Sequence, residues 1–366
     1  MKNYLNNIPL RTALIIPFAF LVVMAIGFVG YVSYANGRLA VNDVASQLRS
    51  ELTLRIQDHL RQFLKTPHQI NQLNADMLNQ GLLNINNPAE MERHFFSQIS
   101  TFDSVTSIYM GNVDGGVVNS GRDFATNSRY IIVTDDFKSG PLHKIATTDT
   151  GRRMEILATV PNFDARTRPW YFGAVKKGAA SWSPVYIIST GQDMAIAASQ
   201  PIYDDQKQLL GVVSTDIFLS HISHFIKNLK MGQTGIAFIV DATGFLIASS
   251  NDEKPFTKSD TSGVQQRRHA EESLSPIIRH AARILSGRFN DQDWANGIQQ
   301  FDFTVDNQRQ LMQVTPLRDG YGLEWTIVVV IPEADFMSKI IANNSASVFV
   351  IVVVLVFALA IDIVVT

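Results

Sequence analysis

The sequence predicts an α+β protein in which a long N-terminal helix supports two antiparallel-sheet modules, with a transmembrane helix flanking each end. Three observations carry this. Residues 12–37 and 340–361 contain no Asp, Glu, Lys or Arg, and at 1.5 Å per residue each run can cross a hydrocarbon core of about 30 Å. Apolar residues then recur at Val41, Val44, Leu48, Leu52, Ile56, Leu60, Phe63, Ile70, Leu73 and Met77, a spacing of three, four and seven that marks one helix face. From residue 105 the period changes to two, and a strand, an acidic glycine-containing turn and a second strand occur twice, around residues 112–116 and 241–244.

Each element follows in order. Lys2 and Arg11 precede the first apolar run, which places residues 1–11 in the cytoplasm and a span at 12–34. The run is too long for a secretory leader and ends in no small-x-small site. Residues 35–87 read as the long helix. Pro67 predicts a kink or break near Lys65, and residues 39–60 offer a dimer seam. Residues 88–99 form a short amphipathic helix, residues 105–120 a hairpin, and residues 130–134, 153–158, 185–189, 194–202 and 209–216 further strands. Helices are expected at 168–177 and 217–230. A second module, 232–332, follows the first, 88–231. It holds strands at 235–240, 245–248, 301–305, 310–316 and 325–331 and a helix at 274–285. A helix at 333–345 then leads into a span at 346–366. A chain that stops as its second span ends implies an effector domain beyond it.

Composition excludes several classes. The chain has 366 residues, a net charge of −2 and no cysteine, so it offers no basic stripe for nucleic acid, no disulfide framework and no Cys-ligated metal. His221 and His224 lie three apart without a third ligand nearby, a poor metal site. No Ser-His-Asp arrangement, phosphate loop or carboxylate pair stands out, so the chain reads as no enzyme, and no cofactor is expected.

The densest chemistry lies in residues 166–217. There R-P-W-Y-x-x-A (168–174), W-S-P-V-Y (182–186) and P-I-Y-D…L-L-G-V-V-S-T-D-I (201–217) stand in register. Together with the long helix and the paired modules, these segments resemble the double Cache family of bacterial extracytoplasmic sensors over residues 35–340. The resemblance implies two PAS-like modules, the membrane-distal one binding a small molecule. It also implies a homodimer in the bacterial inner membrane. I-P-L-R-T and K-T-P-H-Q-I-N-Q (65–72) resemble the input halves of sensor histidine kinases and nucleotide cyclases. A chemoreceptor output is also open, but the first two are favoured.

By the same resemblance, Arg168 receives a ligand carboxylate as a guanidinium fork, Trp170 gives a flat wall, Tyr171 a hydroxyl, Tyr186 a second phenol, and Asp216 holds an amine. One departure stands out: the family's tyrosine–x–aspartate step reads Tyr186-Ile187-Ile188, without a carboxylate. Asp193 replaces it only if the loop bends back. The ligand expected is therefore a small carboxylate-bearing molecule, an amino acid or an organic acid with a more apolar remainder. Structural alternatives stay open. Arg168 can pair with Asp164 or Asp204, Trp170 and Trp182 can fill core, and Asp216 can cap a helix. A wholly structural reading makes the double module a dimerisation or periplasmic-protein docking scaffold.

Overall fold

A computed structural model describes residues 10–123, 126–188, 193–258, 265–287 and 297–336. The expected span at 346–366 and nearly all of the preceding helix lie outside the described residues. Helix α1 runs over Leu10–Asn79 without interruption, with Pro17 and Pro67 inside it. The break expected near Lys65 does not occur. A proline removes one helix hydrogen bond, and here Leu64, Pro67, His68 and Ile70 are all buried, so packing holds the helix through it.

The first module is an antiparallel sheet of nine strands in the order β5-β4-β3-β2-β1-β9-β8-β6, with β7 also on β8. Its strands are β1 Ser107–Asn112, β2 Val117–Arg122, β3 Arg129–Thr134, β4 Gly140–Thr147, β5 Arg153–Phe163, β6 Ser181–Trp182, β7 Tyr186–Ile187, β8 Met194–Tyr203 and β9 Leu209–Phe218. Three helices belong to it: α2 Pro88–Thr101, α3 Pro169–Lys177 and α4 Ser220–Lys227. The helix expected from residue 217 begins three residues later, because Ile217 and Phe218 still pair with Ile196 and Ala195 on β8. Strand β4 was absent from the sequence reading; its Pro141 and polar His143 and Lys144 blur the alternation.

The second module is a five-stranded antiparallel sheet ordered β11-β10-β16-β15-β14. Its strands are β10 Ile236–Asp241, β11 Leu246–Ser249, β14 Gln299–Val305, β15 Gln308–Arg318 and β16 Glu324–Pro332. A small ribbon, β12 Phe256–Lys258 with β13 Gln265–Arg267, stands apart. Helix α5, Pro276–Ser286, is capped by the Ser275 side chain and packs Ile278, Ala281 and Leu285 onto one sheet face with Phe238, Met312 and Val328.

Helix α1 joins the modules. Its Leu52, Ile56, Leu60, Leu64 and Ile70 share one continuous core with Ile196, Val213 and Ile217 of the first sheet and Ile327, Val329 and Ile331 of the second. The apolar stripe read from sequence is thus mostly self-packing. Val44 and Leu73 are exceptions and point outward. Arg49 and Thr53 are buried in the seam instead, where Gln313 donates to Thr53 Oγ1 at 3.1 Å.

A second polar contact ties α1 to the first sheet. Asn71, fully buried, donates to the Ala198 carbonyl at 2.8 Å and accepts from Thr215 Oγ1 at 2.7 Å. Ala198 and Thr215 are register partners across β8 and β9, so one side chain clips two strands. Asn71→Ala leaves a buried hydroxyl and a carbonyl without that partner, at a cost of about 1–3 kcal/mol. Denaturant unfolding should show the loss as a lower midpoint at unchanged slope; an unaltered midpoint would contradict it.

Candidate functional site

Alternation on the first sheet decides what faces where. Along β9, Val213, Thr215 and Ile217 turn toward α1, so Val212, Ser214 and Asp216 turn to the opposite face. That face also carries Tyr109 of β1, Val117 and Asn119 of β2, Ile132 of β3 and Leu142 of β4. The start of α3 lies over it. Gly111 permits the close approach, since a Cβ there would stand 2.7 Å from the Trp170 ring and 2.9 Å from Ala165. A cavity of about 260 Å³ remains between them.

Arg168, Trp170, Tyr186 and Asp216 all line this cavity. Of the expected site residues only Tyr171 stands aside. It is buried, and its hydroxyl donates to the Asn112 carbonyl at 3.2 Å. Trp170 is both wall and core, packed edge-on to Tyr109 with ring centres 4.8 Å apart. Trp182 does not reach the cavity; its indole N–H donates to Asp319 of the second module at 2.6 Å.

The charged groups differ sharply in their engagement. Arg168 is exposed and has no ion-pair or side-chain hydrogen-bond partner among the described residues. Asp164, a candidate partner, is forked by Arg166 at 2.7 Å, and Asp204 accepts the Gln206 and Gln208 amides. Asp216 lies within β9, not at a helix start, since α4 begins at Ser220 after Leu219. It accepts from Tyr109 Oη at 2.7 Å, and the Tyr186 phenol stands beside it on the cavity wall. Facing the cavity, it keeps some surface reachable by water, yet protein surrounds it. Burial pushes its pKa up to about 7, against the pull of the two phenols. Burial raises the Tyr109 and Tyr186 hydroxyls well above their usual range, and the Asp216 charge adds to both.

Asp193 does not supply the missing carboxylate. It is buried under the start of α4, accepting the Met194 amide at 2.7 Å and the Ser220 hydroxyl. The described residues contain no cluster able to hold a metal, and His221 packs edge-on to Phe63. Sequence reasoning missed Tyr109 and the apolar wall of Val117, Ile132, Leu142 and Phe163. Alternation could have grouped them on a face, but only the pairing of Tyr109 with Ser214 puts that face beside Asp216.

The family profile dCache_1, described as Cache domain, matches residues 37–340. The chain belongs to the Cache domain family. As a Cache domain it is a sensory input rather than an enzyme. Among curated proteins it is 36% identical over 102 residues to the methyl-accepting chemotaxis protein McpC of Bacillus subtilis, covering 27% of this chain and 15% of that protein. It is 25% identical over 165 residues to McpA of Pseudomonas putida, covering 45% of this chain and 22% of that protein. The chain therefore matches less than a quarter of the length of these relatives. Among solved structures it resembles the ligand-binding domain of the Pseudomonas aeruginosa amino acid chemoreceptor PctC in complex with GABA. There the identity is 17%, the TM-score 0.51, and the coverage 79% of this chain and 99% of that one. It also resembles the ligand-binding domain of the Campylobacter jejuni chemoreceptor Tlp3 with 4-methylisoleucine (16% identity, TM-score 0.50, 81% of this chain and 94% of that one). At these identities the likeness shows the fold.

The raised pKa of Asp216 has a defined signature. Its folded value of about 7 exceeds the ordinary aspartate value of about 4. The associated stability is therefore fully present below about pH 4 and is lost as pH rises to and through 7. Asp216→Asn removes this dependence. The variant should gain on the wild type between pH 4 and 7 and hold that gain above 7, as read by denaturant midpoints across the range; a pH-independent difference would refute the assignment.

Proposed function

We propose that this Cache domain is the extracytoplasmic ligand-sensing input of a transmembrane receptor. It binds a small carboxylate-bearing molecule, an amino acid or organic acid, in its membrane-distal first module. The observation that carries this is the Arg168 guanidinium, unpartnered among the described residues, at a cavity whose lining also holds Asp216 beside Tyr109 and Tyr186. A guanidinium without a protein partner is suited to a two-pronged carboxylate contact. The amino-acid complexes of PctC and Tlp3 support a ligand of this size and class. Arg168, Trp170, Tyr186 and Asp216 are the proposed contacts, and Tyr171 is proposed as a support behind Trp170, at whose ring it packs.

Transmission runs through α1 and the second module. His68 of α1 is buried between Trp182, edge-on at 4.6 Å between ring centres, and Tyr321, stacked at 3.5 Å. Burial pulls its pKa down to about 4. Lys177 at the end of α3 donates to the Tyr321 carbonyl at 2.7 Å. Movement of α3 over a bound ligand therefore presses on the second module and on the helix that leads to the membrane. Ligand binding biases the output only through its affinity difference between the two states.

Among the described residues no helix is long and apolar enough to cross a membrane. The bilayer crossings at 12–34 and 346–366 are thus part of this proposal, supported by the charge-free run and by the exposed Phe20, Leu21, Met24, Phe28 and Tyr31 along α1. A homodimer in the inner membrane belongs to it as well. McpC and McpA are methyl-accepting chemotaxis proteins, not the kinases or cyclases favoured on the N-terminal motifs, so the proposed output is a chemotaxis signalling domain. The scaffold reading retains one observation, the exposed Met154, Ile156, Leu157 and Val160 on edge strand β5. A docking scaffold would need no open cavity at Arg168.

The test is a thermal-shift screen of the full chain against amino acids, carboxylates, amines and purines. A ligand at a hundred times its dissociation constant adds about 2.7 kcal/mol. A carboxylate-bearing hit that Arg168→Ala abolishes is expected; a blank across the panel would favour the scaffold.

A further inference from the structure

Resting on that reading, the cavity also discriminates between ligands that share a carboxylate. An ammonium group needs an accessible acceptor of full negative charge, and several acceptors when it is removed from water. Asp216 offers little of this. Tyr109 already donates to it at 2.7 Å, and the Tyr186 phenol crowds its other side. A third phenol, the half-buried Tyr130, lies close enough for the Asp216 charge to raise its hydroxyl further.

Among the described residues no second carboxylate lines the cavity. Residues 187 and 188 are isoleucines, residues 189–192 read Ser-Thr-Gly-Gln, and Asp193 is committed to Met194 and Ser220. The remaining wall is apolar: Val117, Ile132, Leu142, Phe163 and Ile187. The one cationic side chain in the lining, Arg168, has no ion-pair partner among the described residues. So, among the described residues, the cavity joins an unpaired cation to an apolar chamber whose one carboxylate is occupied from within.

We propose that the ligand is an organic monocarboxylate with an apolar body and no ammonium group, held by Arg168 and packed on the apolar wall, with Asp216 serving as a phenol-bound structural carboxyl. Its carboxyl, with a pKa near 7, is only partly charged at neutral pH, which lessens its repulsion of an acid. The proposal departs from the amino-acid complexes of the structural relatives, and it follows from the lining of this cavity.

The test uses isosteric pairs that differ only by the amine: butyrate and γ-aminobutyrate, 4-methylpentanoate and L-leucine, 3-phenylpropionate and L-phenylalanine. Affinities are measured by calorimetry on the full chain at pH 7. Within at least one pair the acid should bind tighter by about tenfold or more, Arg168→Gln should abolish that binding, and Asp216→Asn should strengthen it. Arg168 is exposed and has no ion pair among the described residues, so its replacement leaves the fold in place, checked by an unchanged melting temperature without ligand. Tighter binding of the amino acid in the pairs that bind, lost in Asp216→Asn, would overturn this inference and leave the sensor reading intact. No binding by any member, or binding indifferent to Arg168→Gln, would overturn both.

Discussion

Burial of one face of α1 against two separate sheets is the constraint on which the rest depends. Neither sheet covers its own inner face. The first turns Ile196, Val213 and Ile217 toward the helix and the second turns Ile327, Val329 and Ile331 toward it, so both need the same cylinder of apolar side chains. A shared core of this kind makes the helix and both modules move together, because packed interiors do not deform continuously. The buried polar contacts at Thr53 and Asn71 add register to what apolar burial leaves unspecified. Asn71 engages the very strand pair whose next residues are Ala197 and Asp216, so the position of α1 is linked to the floor of the cavity on the other side of the sheet.

The opposite face of that sheet works by different physics. There the strands leave a concave apolar surface with one carboxyl embedded in it, and α3 closes over the top with a guanidinium at its first turn. Desolvation dominates the carboxyl and solvent access dominates the guanidinium. The two groups that looked equivalent as ligand anchors in the sequence are therefore unequal in the fold: one is occupied by phenols, the other waits for a partner. A second cavity, about 230 Å³ and lined by Arg61, Lys65, Arg318 and Tyr321, opens at the junction of the modules, beside the stack of Trp182, His68 and Tyr321.

Much of this was legible before any coordinates. The two hairpins, the long helix and the order of modules follow from local periodicity, and four of the five expected site residues do line one cavity. What local patterns missed depends on distant pairing. Ile217 and Phe218 read as the start of a helix because they are apolar and precede one, yet β8 claims them. Pro67 reads as a break, and tertiary packing overrides it. Tyr171 reads as a ligand contact through the family resemblance, but consecutive residues of a helix point about 100° apart, and its hydroxyl meets the Asn112 carbonyl instead. Tyr109, nearly sixty residues before the motif, enters the site only because β1 and β9 are neighbours. Asp193 was considered as a substitute carboxylate, and its use at the start of α4 became visible only in three dimensions.

The measurement that tests this account most directly is a structure of the full chain with its most stabilising carboxylic acid bound. The account places the ligand carboxylate within hydrogen-bond reach of both terminal nitrogens of Arg168, its body against Val117, Ile132 and Leu142, and the phenols still on Asp216. A ligand seated at the junction of the modules, or one whose nitrogen displaces Tyr109 and Tyr186 from Asp216, would contradict it.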